Sequence, residues 1–181
     1  MTAVAWTLVA VGVLAAAAFW LSSTATRLDR MHHRVDLARQ ALTIALLRRS
    51  GTATEVAACE ALDPATRLVL IDAARAARQA SRGDLEAAES ALSQALRAAF
   101  DDPEGMTALV RDPGLEAVLR CLAEECRKVE LACRFHNDAV MTARRLRSRG
   151  PVRWLRLAGH AGELRPVELD DRPPRGLVEA L

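Results

Sequence analysis

AVAWTLVAVGVLAAAAFWL, residues 3–21, contains no charged side chain. Its length is close to the roughly 20 residues of helix needed to cross a hydrocarbon core of about 30 Å. Trp6 near one end, with Phe19 and Trp20 near the other, fits the aromatic residues that sit at headgroup depth. A cleaved signal sequence is the competing reading, because Ser23 and Ala25 place small residues ahead of Thr26. No basic residue precedes the run, however, and it is longer than the roughly 7 to 15 apolar residues of such a signal, so an anchor is expected. Arg27, Arg30 and Arg34 follow it, with His32 and His33 between them. That asymmetry predicts an inner-membrane, single-pass chain with its amino terminus outside and its body in the cytoplasm.

The composition points the same body towards helix. Apolar residues make up 51% of the 181, aromatics only 3%, and Tyr is absent, so a core must be built from Leu, Val and Ala. Ala and Leu lose little on entering a helix, whereas the residues favoured in strands are scarce. A net charge of +2 supplies no field to attract nucleic acid. Of the four cysteines, Cys121, Cys126 and Cys133 fall on one expected helix, a poor geometry for mutual disulfides, and Cys59 stands apart. Reduced thiols agree with a cytoplasmic body.

Beyond the apolar run, Leu28, Met31, Val35, Ala38, Leu42 and Ala45 recur at steps of three and four, the spacing of a buried helical stripe. The first helix is therefore expected to continue out of the membrane. Ser50-Gly51 interrupts it, as a kink or an end, and Thr52 with Glu55 resembles a capping box restarting a short helix. Asp63-Pro64 starts a helix towards Ala80. Ser81-Arg82-Gly83 closes it and Asp84 is placed to cap the next, which carries Leu85, Ala88, Leu92, Ala95 and Ala99. Asp101-Asp102-Pro103 ends that helix, with one possible helical turn following. Asp112-Pro113 then opens the last helix, striped by Leu119, Leu122, Cys126, Val129, Cys133, His136, Val140 and Ala143, and Gly150-Pro151 stops it.

Long first and last helices around two shorter ones fit an antiparallel up-down four-helix bundle. The expected organisation is a transmembrane anchor at residues 1–22, a cytoplasmic helical bundle at 23–158 and a disordered tail at 159–181, rich in proline and charge.

Such a bundle returns the end of its last helix to the membrane. Arg144, Arg145, Arg147, Arg149, Arg153 and Arg156, with Trp154 among them, suit contact with anionic headgroups, where each base contributes about 1 kcal/mol. A solvated terminus whose arginines complement the helix dipole explains them equally well. His136, Asn137 and Asp138 form a candidate polar site: Asn137 and Asp138 lie beside the apolar stripe, where they can bond across the bundle or hold a ligand. Cys126, Cys133 and His136 share a face that a metal would use together with His32 or His33, yet buried thiols acting as small apolar residues explain them more simply.

Three stretches together resemble the LemA family of bacterial membrane proteins. The anchor is followed by RLDRMHHRVDLARQAL (residues 27–42) and LLRR (46–49), similar to that family's long first helix. LEAAESALSQALRAAF (85–100) resembles its third. In VELACRFHNDAVMTAR (129–144), Phe135-His136-Asn137-Asp138-Ala139-Val140 stands where the family has an aromatic, Tyr-Asn-Asp-Ala-Val pattern. His136 in place of the tyrosine, the missing Ile-Pro-Asn segment after the first helix, and the basic then proline-rich tail resemble a divergent, actinobacterial-type branch. The resemblance implies an anchored cytoplasmic four-helix bundle and little chemistry, since that family brings no established enzymatic activity or cofactor.

No phosphate-cradling glycine loop, nucleophile elbow, His-Glu-x-x-His helix or Cys-x-x-Cys pair occurs. The expected function is therefore that of a membrane-anchored interaction or scaffold protein, without catalytic, cofactor or metal residues, in bacterial envelope organisation. Its expected partners are membrane lipid and proteins that read the helix faces or the tail; nucleic acid is excluded and oligomerisation is left open. A receptor-like sensor signalling through the continuous first helix is the alternative, with a metal-binding or enzymatic bundle ranking below it.

Overall fold

The computed structural model describes residues 2–148 and 164–179. Helices α1 (Thr2–Ala58), α2 (Pro64–Gln79), α3 (Leu85–Phe100), α4 (Pro103–Leu109), α5 (Pro113–Arg147) and α6 (Arg175–Glu179) form an all-helical chain with no strand among the described residues. Two compact units divide it, one of Met1–Leu37 with Asp138–Arg165 and the other of Ala38–Asn137 with Pro166–Leu181.

In the first unit, α1 opens with a stretch long and apolar enough to cross a membrane, and none of it is buried against protein. Trp6, Leu14 and Phe19 stand fully in the open. Thr7 Oγ1 within it donates to the Val4 carbonyl at 2.8 Å, and Ser23 and Thr24 just beyond it donate to that of Trp20 at 2.9 and 2.8 Å. Such back-bonding lets a hydroxyl sit on an apolar helix at little cost. Further on, Val35 packs with Val140 and Ala143 of α5, flanked by Met31, Ala139 and Leu164.

The second unit carries the larger core. Ala53, Val56 and Ala57 of α1, Leu70, Ala74 and Ala77 of α2, Leu92, Leu96 and Phe100 of α3, Met106 of α4, and Leu115, Leu119 and Leu122 of α5 form one cluster. Leu177 of α6 is wholly buried within it. Three Asp-Pro pairs punctuate the chain for the same reason: proline fits the first helical turn and the aspartate accepts from the open N–H groups. Asp63 accepts from Ala65 and Thr66 N–H at 3.0 Å each, Asp102 from Gly105 at 3.0 Å, and Asp112 from Gly114 at 2.9 Å. Asp84 does not act this way. Its carboxylate accepts instead from Ser81 Oγ at 2.6 Å, and α3 begins without a side-chain cap.

Two further expectations are corrected. Ser50-Gly51 neither ends nor restarts a helix, because α1 runs through to Ala58. Ser50 Oγ donates back to the Leu47 carbonyl and Thr54 Oγ1 to that of Ser50, while Arg49, Thr52 and Ala53 are buried, so packing overrides the weak local propensity. The tail is not disordered over its described part. Residues 164–179 run along the helices and end in α6, held by polar contacts and by Leu177.

The two glycines should respond oppositely to alanine. A Cβ on Gly51 meets nothing within 4 Å, so Gly51→Ala should stabilise by roughly 0.5–1 kcal/mol through helix propensity. A Cβ on Gly176 would lie 2.6 Å from the Phe100 carbonyl oxygen, backbone that cannot yield cheaply, so Gly176→Ala should cost about 1–3 kcal/mol. Denaturant unfolding of the solubilised chain, followed by helical circular dichroism, measures both. A destabilised Gly51→Ala would mean that α1 breaks there after all.

Candidate interaction site

A charged side chain lies at the centre of the second unit. Arg49 is 1% exposed, and its guanidinium donates to Glu89 Oε2 at 2.7 Å, to the Glu89 carbonyl at 3.2 Å and to Ser93 Oγ at 2.8 Å. α1 and α3 are thereby joined through polar groups inside an apolar core. Burial pushes the Glu89 carboxyl above its ordinary range, and the adjacent guanidinium draws it back only in part. Arg49 Nε, and Oε2 of the buried Glu125, make no hydrogen bond among the described residues.

The tail is held by a row of contacts that hydrophobic periodicity could not reveal. Asn137 pairs with the Val167 backbone in both directions: Nδ2 donates to its carbonyl at 3.0 Å and Oδ1 accepts from its N–H at 2.8 Å. Asp170 N–H donates to Ser90 Oγ at 3.0 Å, and its carboxylate takes a two-pronged contact from the Arg97 guanidinium. Arg97 also donates to the Arg172 carbonyl at 3.1 Å, and Arg175 N–H donates to Asp101 Oδ1 at 2.7 Å. Burial alone would raise the Asp170 carboxyl, but hydrogen bonds from Arg97 and Arg172 outweigh it and hold the group below its ordinary range.

The structure does not gather the three candidate polar residues into one site. His136 is buried, Asn137 is half-buried and engaged with the tail, and Asp138 is exposed. Among the basic residues, Arg144 and Arg145 are exposed and Arg147 half-exposed, with Arg144 Nε donating to the Leu164 carbonyl at 2.6 Å. Arg149, Arg153, Trp154 and Arg156 lie outside the described residues, as does the Gly150-Pro151 stop.

Cys126 and Cys133 are buried, and burial pushes their thiols up, to about 11 and about 12, with Asp171 adding to the effect at Cys133. Neutral thiols of this kind are poor nucleophiles and poor ligands at physiological pH. No group of three His, Cys, Asp or Glu among the described residues is arranged to hold a metal ion.

What the second unit does present is an open apolar groove of about 360 Å³ between α1 and α5. Ala38, Ala41, Ala45 and Ala132 line it together with Ile44, Leu131 and Phe135, which are 52%, 51% and 60% exposed. Arg48, Glu125 and Lys128 stand at its edge. Three large apolar side chains thus stand open on one face of the unit.

Breaking the buried pair should cost far more than its small size suggests. Arg49→Met leaves Glu89 buried without its countercharge and should lower stability at pH 7 by about 3–5 kcal/mol in denaturant unfolding. An acid whose folded pKa is raised stabilises while protonated, below its ordinary 4.5, and loses that contribution as pH rises through the folded value. The deficit of Arg49→Met should therefore shrink on acidification, and a pH-independent deficit would assign the loss to packing alone.

Asp170 carries the opposite sign. Its lowered pKa contributes stability that is present above the ordinary 3.8 and is lost as pH falls through the folded value. Asp170→Asn should reduce stability at neutral pH and flatten that acid limb in the same unfolding series; an unchanged acid limb would remove Asp170 as its source.

Comparison of the chain with protein-family models, with curated proteins and with solved structures returns no match, so the reading rests on the residues themselves.

Proposed function

We propose that this chain is a membrane-anchored interaction protein: a single span, amino terminus outside, carrying a LemA-like four-helix bundle into the cytoplasm. The observation that carries the reading is α1 itself. One helix, Thr2–Ala58, begins as an exposed apolar stretch and ends as a core element supplying Arg49 to a buried polar network. The apolar part has no protein to cover it and matches the length of a bilayer core. Arg27, Arg30 and Arg34 follow it and are exposed, where a positive cytoplasmic flank belongs. Lipid is thus one partner, through the span and through anionic headgroups at the arginines that close α5.

Protein partners are the other, in the organisation of the bacterial envelope. The exposed groove offers them an apolar surface, whereas the buried thiols and the paired Arg49 and Glu89 offer little chemistry. The tail is a less suitable bait than its composition suggests. Leu177 is part of the core, so deleting residues 164–179 would damage the fold before it tested any partner.

Topology tests the reading directly. A reporter active only in the cytoplasm, fused after Leu181, should be active, and the chain should sediment with membranes and resist extraction by carbonate. Activity of a periplasm-only reporter at the same position would reverse the orientation, and a chain released by carbonate would remove the span.

A further inference from the structure

The groove on the Ala38–Asn137 unit is lined by both large and small apolar side chains. Ile44, Leu131 and Phe135 project as knobs, while Ala38, Ala41, Ala45 and Ala132 leave hollows on the same face. A face holding both knobs and hollows can interdigitate with itself, which is what a two-fold interface demands. Its charges are matched in the same way. Arg48 and Lys128 stand near one another at one end, with Glu125 beside them in the groove and Glu124 next along α5. Two bases and two acids cancel, so like ends brought together do not repel.

Within this group the contacts are unevenly distributed. Lys128 Nζ donates to Glu125 Oε1 at 2.8 Å but lies 3.8 Å from Glu124 Oε2, and the Glu124 side chain is 59% exposed. Arg48 makes no hydrogen bond or ion pair among the described residues. One free guanidinium and one loosely held carboxylate therefore occupy the same end of an apolar groove. A partner with a strong net charge would select a groove of opposite sign, and this one is balanced.

We propose that a second copy of this chain docks in the groove, with the two-fold axis running along α1 and α5 so that like ends meet. Arg48 then faces Glu124 of the partner subunit, and the symmetry makes the pair twice. A two-fold axis across the helices would instead set Arg48 against the Phe135 end and leave both charges unmatched. Two α1 helices held in one bilayer also run in the same direction, and confinement there raises their effective concentration, a point that rests on the membrane reading while the groove does not.

Photo-crosslinking of the purified full chain in lipid vesicles, at a low protein-to-lipid ratio, tests the proposal. A benzophenone amino acid replacing Phe135 should yield a covalent dimer, whereas the same probe replacing Leu68, an exposed residue of α2 outside the groove, should not. Arg48→Glu should lower the Phe135 yield about fivefold, the effect of two rim ion pairs, and adding Glu124→Arg should restore it. Unchanged circular dichroism of the variants separates lost docking from lost folding. Lipid adducts alone, monomer alone, equal dimer yield from the Leu68 probe, or a yield indifferent to the charge reversal would each overturn it. A chain that stays soluble without lipid but still crosslinks from Phe135 would sink the membrane reading and leave the dimer standing.

Discussion

The Arg49 guanidinium, 1% exposed, ties α1 to α3 inside the larger unit. Bringing a cation out of water into an apolar core costs several kcal/mol unless its donors find acceptors, and here Glu89 Oε2, the Glu89 carbonyl and Ser93 Oγ supply them. Such a pair contributes little net stability compared with apolar residues of similar shape. What it imposes is register, since α1 can slide or rotate against α3 only by stranding a buried charge. The continuity of α1 has a different source: the helix persists through Ser50-Gly51, two poor helix formers, because it carries Ala53, Val56 and Ala57 beyond them into the core.

A second constraint comes from the far end of the chain. Residues 164–179 are held by a row of polar contacts and by the wholly buried Leu177, next to Gly176, where the spacing admits no Cβ. Prolines 166, 173 and 174 stiffen this segment, so little conformational entropy is lost when it lies down on the helices. The result behaves as a strap built into the fold: Asn137 grips it on α5, Ser90 and Arg97 on α3, and Asp101 at the end of α3. With this strap in place, the apolar groove between α1 and α5 remains open on the larger unit.

Much of this was legible in the residues. All eight stripe positions on α5, from Leu119 to Ala143, are buried, because a long amphipathic helix repeats its signal often enough to average out exceptions. The Asp-Pro pairs at 63 and 112 begin helices as expected, since capping is local chemistry, whereas Asp102-Pro103, read mainly as the end of the third helix, also caps α4. α3 shows where the method stops. Its apolar spacing selects Leu85, Ala88, Leu92, Ala95 and Ala99, whereas the buried face is Glu89, Leu92, Ser93, Leu96 and Phe100. Glu89 and Ser93 look like surface residues until Arg49, forty positions earlier, is seen to need them.

The sequence by itself determined helix content, the exposed apolar run at the amino terminus and most helix starts, because these depend on composition, on period and on neighbours a few residues apart. Tertiary structure alone decided that Arg49 is buried, that Ser50-Gly51 stays helical, that Asn137 holds the tail rather than another helix, and that a proline-rich end becomes part of the core. Each of these turns on a partner roughly 30 to 80 residues away, and a group's free energy of burial depends on that partner's position, which no local pattern encodes.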